Sequence, residues 1–195
     1  MSILFHLIRH GDYPLLDHAL GGRADHPLSE EGRAQADQVA RWLAPRTIAA
    51  VVSSPVRRAQ ETALPVAHRF GCQVTADDAF TEIDFAGWSG KRFQELADDP
   101  AWQAWNRFRG TAGVPGGETM LAVQSRALAA LLKLAGNDDR EIAIITHADV
   151  IKAILCHFLG VPLDLMGRLD ISPGSISQVA LYQQDARVLG MNLRP

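Results

Sequence analysis

Three short apolar runs, at residues 3–8, 48–53 and 141–146, each break off at polar residues and alternate with stretches of helical periodicity. Runs this short and this rich in β-branched residues read as buried strands rather than helices. Strands that alternate with helices along one chain call for a mostly parallel sheet, because crossover helices cover both faces and leave the strands dry on each side. The expected fold class is therefore α/β, a three-layer α/β/α sandwich. At 195 residues the chain suits a single domain spanning 1–195, large enough to bury a core without disulfide or metal support.

The helices are bounded by recognisable signals. Ser29 is a natural N-cap, Glu30 and Glu31 place negative charge in the first turn, and Ala36, Val39, Ala40 and Leu43 recur at helical spacing before Pro45 stops the element. Pro55 suits a first helical turn, and residues 56–70 form a helix that Gly71 ends. Residues 72–75 read as a weak third strand, 94–109 as one helix, 119–135 as a long helix and 150–159 as another, with further strands at 177–182 and 187–193. Segments 12–28, 80–90 and 111–117 carry the glycines, prolines and polar residues of loops.

Charge and cysteine content narrow the partners. Nineteen Lys and Arg against 22 Asp and Glu leave a net charge of −3, which argues against a nucleic-acid or anionic-membrane surface, since both need clustered positive charge. Cys72 and Cys156 read as two reduced thiols. The first residues lack a cationic leader, and no apolar stretch reaches the ~20 residues of a membrane helix. The expectation is a cytoplasmic protein, with the oligomeric state open between monomer and homodimer.

Ligands of an open parallel sheet bind beyond the carboxyl ends of its strands. The first run ends in Arg9-His10-Gly11, the second in Ser53-Ser54-Pro55 followed by Arg57-Arg58, and the third in Thr146-His147. Converging on one edge, these segments make a pocket with two histidines and at least two arginines. Arginine forks and helix N-terminal N–H groups at Val56 and Ala148 suit a phosphoryl group, whose oxygens need several donors at once. A histidine among cations stays neutral, with a lone pair free to attack phosphorus. The inventory thus points to covalent catalysis through a phosphohistidine.

Four segments, Arg9-His10-Gly11, Ser54-Pro55-Val56-Arg57-Arg58-Ala59-Gln60-Glu61-Thr62, Thr81-Glu82-Ile83-Asp84-Phe85-Ala86-Gly87-Trp88 and Thr146-His147, stand in the order of the signatures of the histidine phosphatase superfamily, the phosphoglycerate-mutase-like group. Gly22-Arg23-Ala24-Asp25-His26-Pro27-Leu28-Ser29 and Pro115-Gly116-Gly117-Glu118-Thr119 add to the similarity. The resemblance implies that His10 is the nucleophile, that Arg9, Arg58 and His147 hold the phosphoryl oxygens, and that Glu82 is the proton donor, with Gly22, Arg23 and Ala148 on the substrate side. It implies a phosphatase acting on a small phosphomonoester with no metal or other cofactor, arginines supplying the positive charge, and a cap at about 82–117. The alternatives are a phosphoglycerate mutase and a non-enzymatic module binding phosphorylated ligands. A serine hydrolase is set aside because no Gly-x-Ser-x-Gly elbow occurs.

Some residues depart from the pattern or read as plain structure. Asp12 and Tyr13 stand where Glu and Thr or Ser often follow Arg-His-Gly, and Ala148-Asp149 replaces a Gly-Gly pair. A carboxylate so near a phosphate site is expected to cap the following helix. Arg57 reads as a solvated helix residue, Trp88, Trp102 and Trp105 as packing, and His6, His18, His26, His68 and His157 as structural or surface groups.

Overall fold

The computed structural model describes residues 2–136, 139–183 and 185–195. Its six strands are β1 (Ser2–Arg9), β2 (Ile48–Ser53), β3 (Val74–Ala76), β4 (Arg140–Thr146), β5 (Ile176–Tyr182) and β6 (Ala186–Leu193). Its helices are α1 (Glu30–Leu43), α2 (Arg57–Phe70), α3 (Phe93–Leu96), α4 (Pro100–Arg107), α5 (Met120–Leu134) and α6 (Ala148–Leu159).

The strands form one sheet in the order β3-β2-β4-β1-β5-β6. The first four run parallel, β5 is antiparallel to β1, and β6 is antiparallel to β5. The connection between β5 and β6 is too short for a parallel crossover, so these two strands form a hairpin. Register brings the strand ends together: Arg9 pairs with Thr146, and Ser53 with Ile145. The residues that follow β1, β2 and β4 therefore emerge side by side.

Both faces of the sheet are covered, giving the expected three layers. Ile8, Val51, Ala143 and Ile145 pack against Val39 and Leu43 of α1 and Ala59 and Val66 of α2. Phe5, Leu7, Ile142 and Ile144 pack against Val123 and Leu131 of α5 and Ile151 and Leu155 of α6. Each of the Val, Leu, Ile and Phe side chains among these stabilises the fold by about 1.5–3 kcal/mol when fully buried, which secures the sheet edge bearing the polar residues.

Two element expectations are corrected. The 94–109 stretch is not one helix: Pro100 stands at the first position of α4 and Asp99 caps it by accepting from the N–H groups of Ala101 and Trp102, because the ring of a proline disfavours helical backbone at the preceding residue. The third strand is Val74–Ala76 rather than 72–75, set by its pairing with Val51–Ser53. Between β3 and α5 the chain packs an aromatic cluster in which the Trp105 ring lies 5.3 Å from Trp102, 6.0 Å from Trp88 and 5.4 Å from Phe85. The tryptophans thus serve packing. Cys72 and Cys156 are free thiols, and among the described residues no helix is long and apolar enough to cross a membrane.

Candidate active site

The turn after β1 depends on a close approach of backbones. A Cβ on Gly11 would lie 2.4 Å from the Gly32 carbonyl oxygen, and one on Gly32 would lie 2.0 Å from that of Asp12, so the loop seats directly on the first turn of α1. Asp12 is drawn there as well: its carboxylate accepts from the Ser29 hydroxyl, and its N–H donates to Gln35 Oε1 at 2.8 Å. Its carboxylate is thereby engaged at the cap of α1.

This turn aims His10 into the site. His10 N–H donates to the Thr146 carbonyl at 2.9 Å, and Gly11 N–H to Thr62 Oγ1 at 3.0 Å. His10 is 2% exposed, and its Nδ1 lies 2.8 Å from the Gly11 carbonyl oxygen. A carbonyl only accepts, so Nδ1 carries the proton and Nε2 keeps its lone pair. Burial first, then the charges of Arg58 and Arg9, hold His10 well below its ordinary pKa of 6.5, keeping it neutral.

Arg58, in the first turn of α2, is 1% exposed and joins the pieces. Its Nε donates to His10 Nε2 at 3.1 Å and its Nη2 to the Gly22 carbonyl at 2.6 Å and to His147 Nδ1 at 3.2 Å, while Nη1 reaches the Ala24 carbonyl at 3.3 Å. Because His147 Nδ1 accepts, its Nε2–H donates to Ser54 Oγ at 2.8 Å. Burial, then the Arg58 charge, also depresses the His147 pKa. Arg9 Nη1 donates to the Ile171 carbonyl at 2.6 Å, whereas its buried Nε has no hydrogen-bond partner among the described residues. A buried, unpaired guanidinium N–H is costly to leave unmade, and an incoming anion would satisfy it.

The carboxyl of Glu82 lies across the pocket, Oε2 3.7 Å from His147 Nδ1. Burial, then the Asp149 carboxylate, raises its pKa from 4.5 to about 7, against the opposing pull of Arg58 and Arg9. It can therefore carry a proton near neutrality. Asp149 does not cap α6 through its side chain; it sits in the first turn of α6 and pairs with Arg109 at 3.5 Å, because a buried cation offers it more than the local backbone does.

Other residues take places that the sequence does not display. Gly22 enters through its carbonyl, behind Arg58, and Ala148 opens α6, whose N-cap His147 uses no side-chain cap bond. Arg23 lies on the rim, donating to the Glu82 carbonyl at 2.9 Å and to Glu118 at 2.7 Å. Glu118 in turn accepts twice from Arg126. Tyr13 packs edge-on to His10, 5.6 Å away, under the Arg58 guanidinium and stacked on His26. Arg57 is exposed and pairs with Glu61, and His6 is a buried structural group bonded to Glu141. Sequence reasoning missed Arg109, Arg126 and the Ile171 carbonyl; none lies at a strand end or in a recognisable motif. Among the described residues no three His, Cys, Asp or Glu side chains are grouped to hold a metal ion.

Comparison with known proteins identifies the family. A bifunctional protein of Mycobacterium tuberculosis is 32% identical over 186 residues, which cover 92% of this chain and 50% of that protein. The chain spans about half the length of the first curated relatives it matches. A probable phosphoglycerate mutase of Salmonella choleraesuis is 29% identical over 187 residues, 92% of this chain and 85% of that one. The native structure of a mycobacterial glucosyl-3-phosphoglycerate phosphatase superposes with a TM-score of 0.88 at 27% identity, covering 99% of this chain and 100% of the other. A family model of the histidine phosphatase superfamily (branch 1) matches residues 5–194, and the chain belongs to that superfamily.

Proposed function

We propose that the chain is a phosphomonoesterase that hydrolyses a small phosphorylated metabolite through a phosphohistidine on His10. The observation that carries this reading is the meeting of a neutral His10 with its Nε2 lone pair inward, the unpaired Nε–H of Arg9, and a Glu82 carboxyl with a pKa of about 7. In the first half-reaction His10 Nε2 attacks phosphorus while the ester P–O bond breaks, and Glu82 gives its proton to the leaving oxygen. In the second, the Glu82 carboxylate takes a proton from a water whose oxygen attacks phosphorus, the P–N bond breaks, and phosphate departs. Such a positioned acid and base typically contributes about 10²–10⁴ in rate. Arg9 and Arg58 hold the phosphoryl oxygens, Arg58 exchanging its bonds to His10 Nε2 and His147 Nδ1 for bonds to the substrate; His147 joins them once the anion draws a proton onto Nδ1. Gly22, through its carbonyl, fixes Arg58; Arg23 and Ala148 face the leaving-group side.

We read residues 1–195 as one domain, with 82–117 as a cap over the pocket. The similarity to a glucosyl-3-phosphoglycerate phosphatase favours a phosphorylated small molecule as substrate, and the short α3 and α4 make a modest cap, less suited than a larger one to the water exclusion a mutase needs. The test is phosphate release from sugar, nucleotide, amino-acid and glycerate phosphates with and without chelator, alongside rapid quenching for an acid-labile phosphoprotein. Chelator-resistant release and a trapped phosphoprotein, both lost in His10→Ala, are expected. Transfer between positions of phosphoglycerate without release would replace the reading with a mutase, and binding of phosphorylated ligands without turnover would replace it with a binding module.

A further inference from the structure

Among the described residues, every hydrogen-bond partner of the Arg58 guanidinium is neutral. Nε and Nη2 meet the two site histidines, and Nη2 and Nη1 meet the Gly22 and Ala24 carbonyls. These partners approach the edges of the guanidinium, because its N–H groups lie in its plane. One face is left to the Tyr13 ring, whose centre stands 5.0 Å from the guanidinium carbon, within the range at which a π face attracts a cation. The same ring meets the His10 imidazole edge-on, 5.6 Å away, and lies stacked on His26 at 5.7 Å. Tyr13 is 6% exposed, and burial raises its phenol pKa above the ordinary value, so the ring meets Arg58 uncharged.

The ring is also seated against the turn that supplies the two carbonyls. Ala24 N–H donates to the Gly21 carbonyl at 3.1 Å, closing a turn that presents Gly22 and Ala24 to Arg58. A Cβ on Gly21 would run into the Tyr13 hydroxyl and lie 2.9 Å from its Cζ. Gly21 is not among the residues of positive φ, so the contact with Tyr13, rather than backbone conformation, calls for glycine there. Tyr13 thus packs on the turn, on the arginine that the turn holds and on the nucleophile beside it.

We propose that Tyr13 is a positioning residue that keeps the Arg58 guanidinium in place while it changes partners: the ring face holds the cation in the free site and in the phosphoryl-bound one, and Gly21 makes room for the ring. The proposal rests on Arg58 being a phosphoryl holder of the phosphatase reading. When the anion arrives, Arg58 gives up its bonds to His10 and His147, and the two carbonyls and Tyr13 remain. A carboxylate in place of the ring would neutralise the cation, whereas an aromatic face leaves its charge for the phosphoryl oxygens. A guanidinium already ordered in the free site also has less freedom to lose on binding.

The test compares Tyr13→Phe, which keeps the ring, with Tyr13→Leu, which keeps apolar bulk without it, well below the Tm of each. Calorimetric titration with inorganic phosphate gives the affinity, NMR of arginine-labelled protein follows the Arg58 Nε–H, assigned by its loss in Arg58→Lys, and phosphate release from a sugar phosphate gives turnover. Tyr13→Leu is expected to bind phosphate about ten- to thirtyfold more weakly and to exchange the Arg58 Nε–H with water faster, while Tyr13→Phe stays within about threefold of wild type in both. Gly21→Ala is expected to weaken phosphate binding in the wild-type background and to add nothing in Tyr13→Leu, since the ring it displaces is gone. If Tyr13→Leu does not fold, Gly21→Ala decides alone, an unchanged affinity and exchange rate overturning the proposal. Affinity and exchange unmoved in folded Tyr13→Leu, with only Tm lowered, would overturn it and leave Tyr13 as packing; equal losses in Tyr13→Phe and Tyr13→Leu would overturn it by placing the role on the hydroxyl. Affinity and exchange that shift as expected in a protein that releases no phosphate would support the positioning role while overturning the phosphatase reading, so the two failures are distinguishable.

Discussion

Replacing Glu82 by Gln should impair the proposed phosphatase reaction and stabilise the protein, and the second effect should depend on pH. Burial raises the Glu82 pKa from 4.5 to about 7, so the folded protein holds a proton that the unfolded chain gives up above pH 4.5. Stability from this group is fully present below 4.5 and is lost as pH rises through 7. At about 1.4 kcal/mol per pH unit, ionising Glu82 in the folded state costs about 3 kcal/mol by pH 8. Glutamine has no charge to bury, and its Oε1 can keep the 3.0 Å bond from Ile83 N–H. The stability advantage of Glu82→Gln should therefore grow by about 2 kcal/mol between pH 5.5 and pH 8, or several degrees in Tm for a chain of this size. Urea unfolding at the two pH values gives the difference directly. Turnover of alkyl phosphates should meanwhile fall by about 10²–10⁴, with a smaller loss for aryl phosphates, whose leaving groups need less protonation. A stability gain that is the same at both pH values, or a loss at pH 8, would refute the protonated, buried state assigned to Glu82.

Three further outcomes follow from particular contacts. Arg58→Lys should lower kcat/KM by about 10²–10³, since an ammonium cannot reach Gly22, His10 and His147 together; steady-state kinetics showing near-wild-type values would mean that Arg58 does not hold the phosphoryl group. His10 and His147 are both held below the ordinary 6.5, so the unfolded chain takes up protons first on acidification, and stability should fall below pH 6.5 by up to about 1.4 kcal/mol per pH unit for each. Urea unfolding in the Glu82→Gln background, which removes the opposing carboxyl, should show this slope, and His147→Asn should reduce it. Gly11→Ala should lower Tm markedly and impair turnover, because the added methyl would sit 2.4 Å from a backbone oxygen that cannot give way; a Tm within a degree of wild type would show that the loop has room to move.

The recognisable parts of the chain are those governed by short-range chemistry. Residues 48–53 read as a strand because an apolar β-branched run needs no distant partner to declare itself, and that strand is β2 as observed. Ser29 was legible as a cap for the same reason, its hydroxyl accepting from the N–H of Gly32 three residues on. The break between α3 and α4 was missed because helical spacing on either side of Pro100 outweighed the local stop, and the shift of β3 because its limits follow from pairing with β2.

The candidate site divides along the same line. Arg9-His10-Gly11, Arg58, Glu82 and Thr146-His147 are visible in the sequence because strand ends and a known order of motifs mark them. Which nitrogen of His10 keeps its lone pair, how Arg58 reaches a histidine 89 residues away and how Arg9 meets a carbonyl 162 residues away were decided only by the tertiary structure. So was the role of Asp149, whose expected cap gave way to a cation from the far side of the pocket. Backbone propensity acts between neighbours in the chain, whereas desolvation and charge act between neighbours in space, and only the folded sheet turns the first into the second.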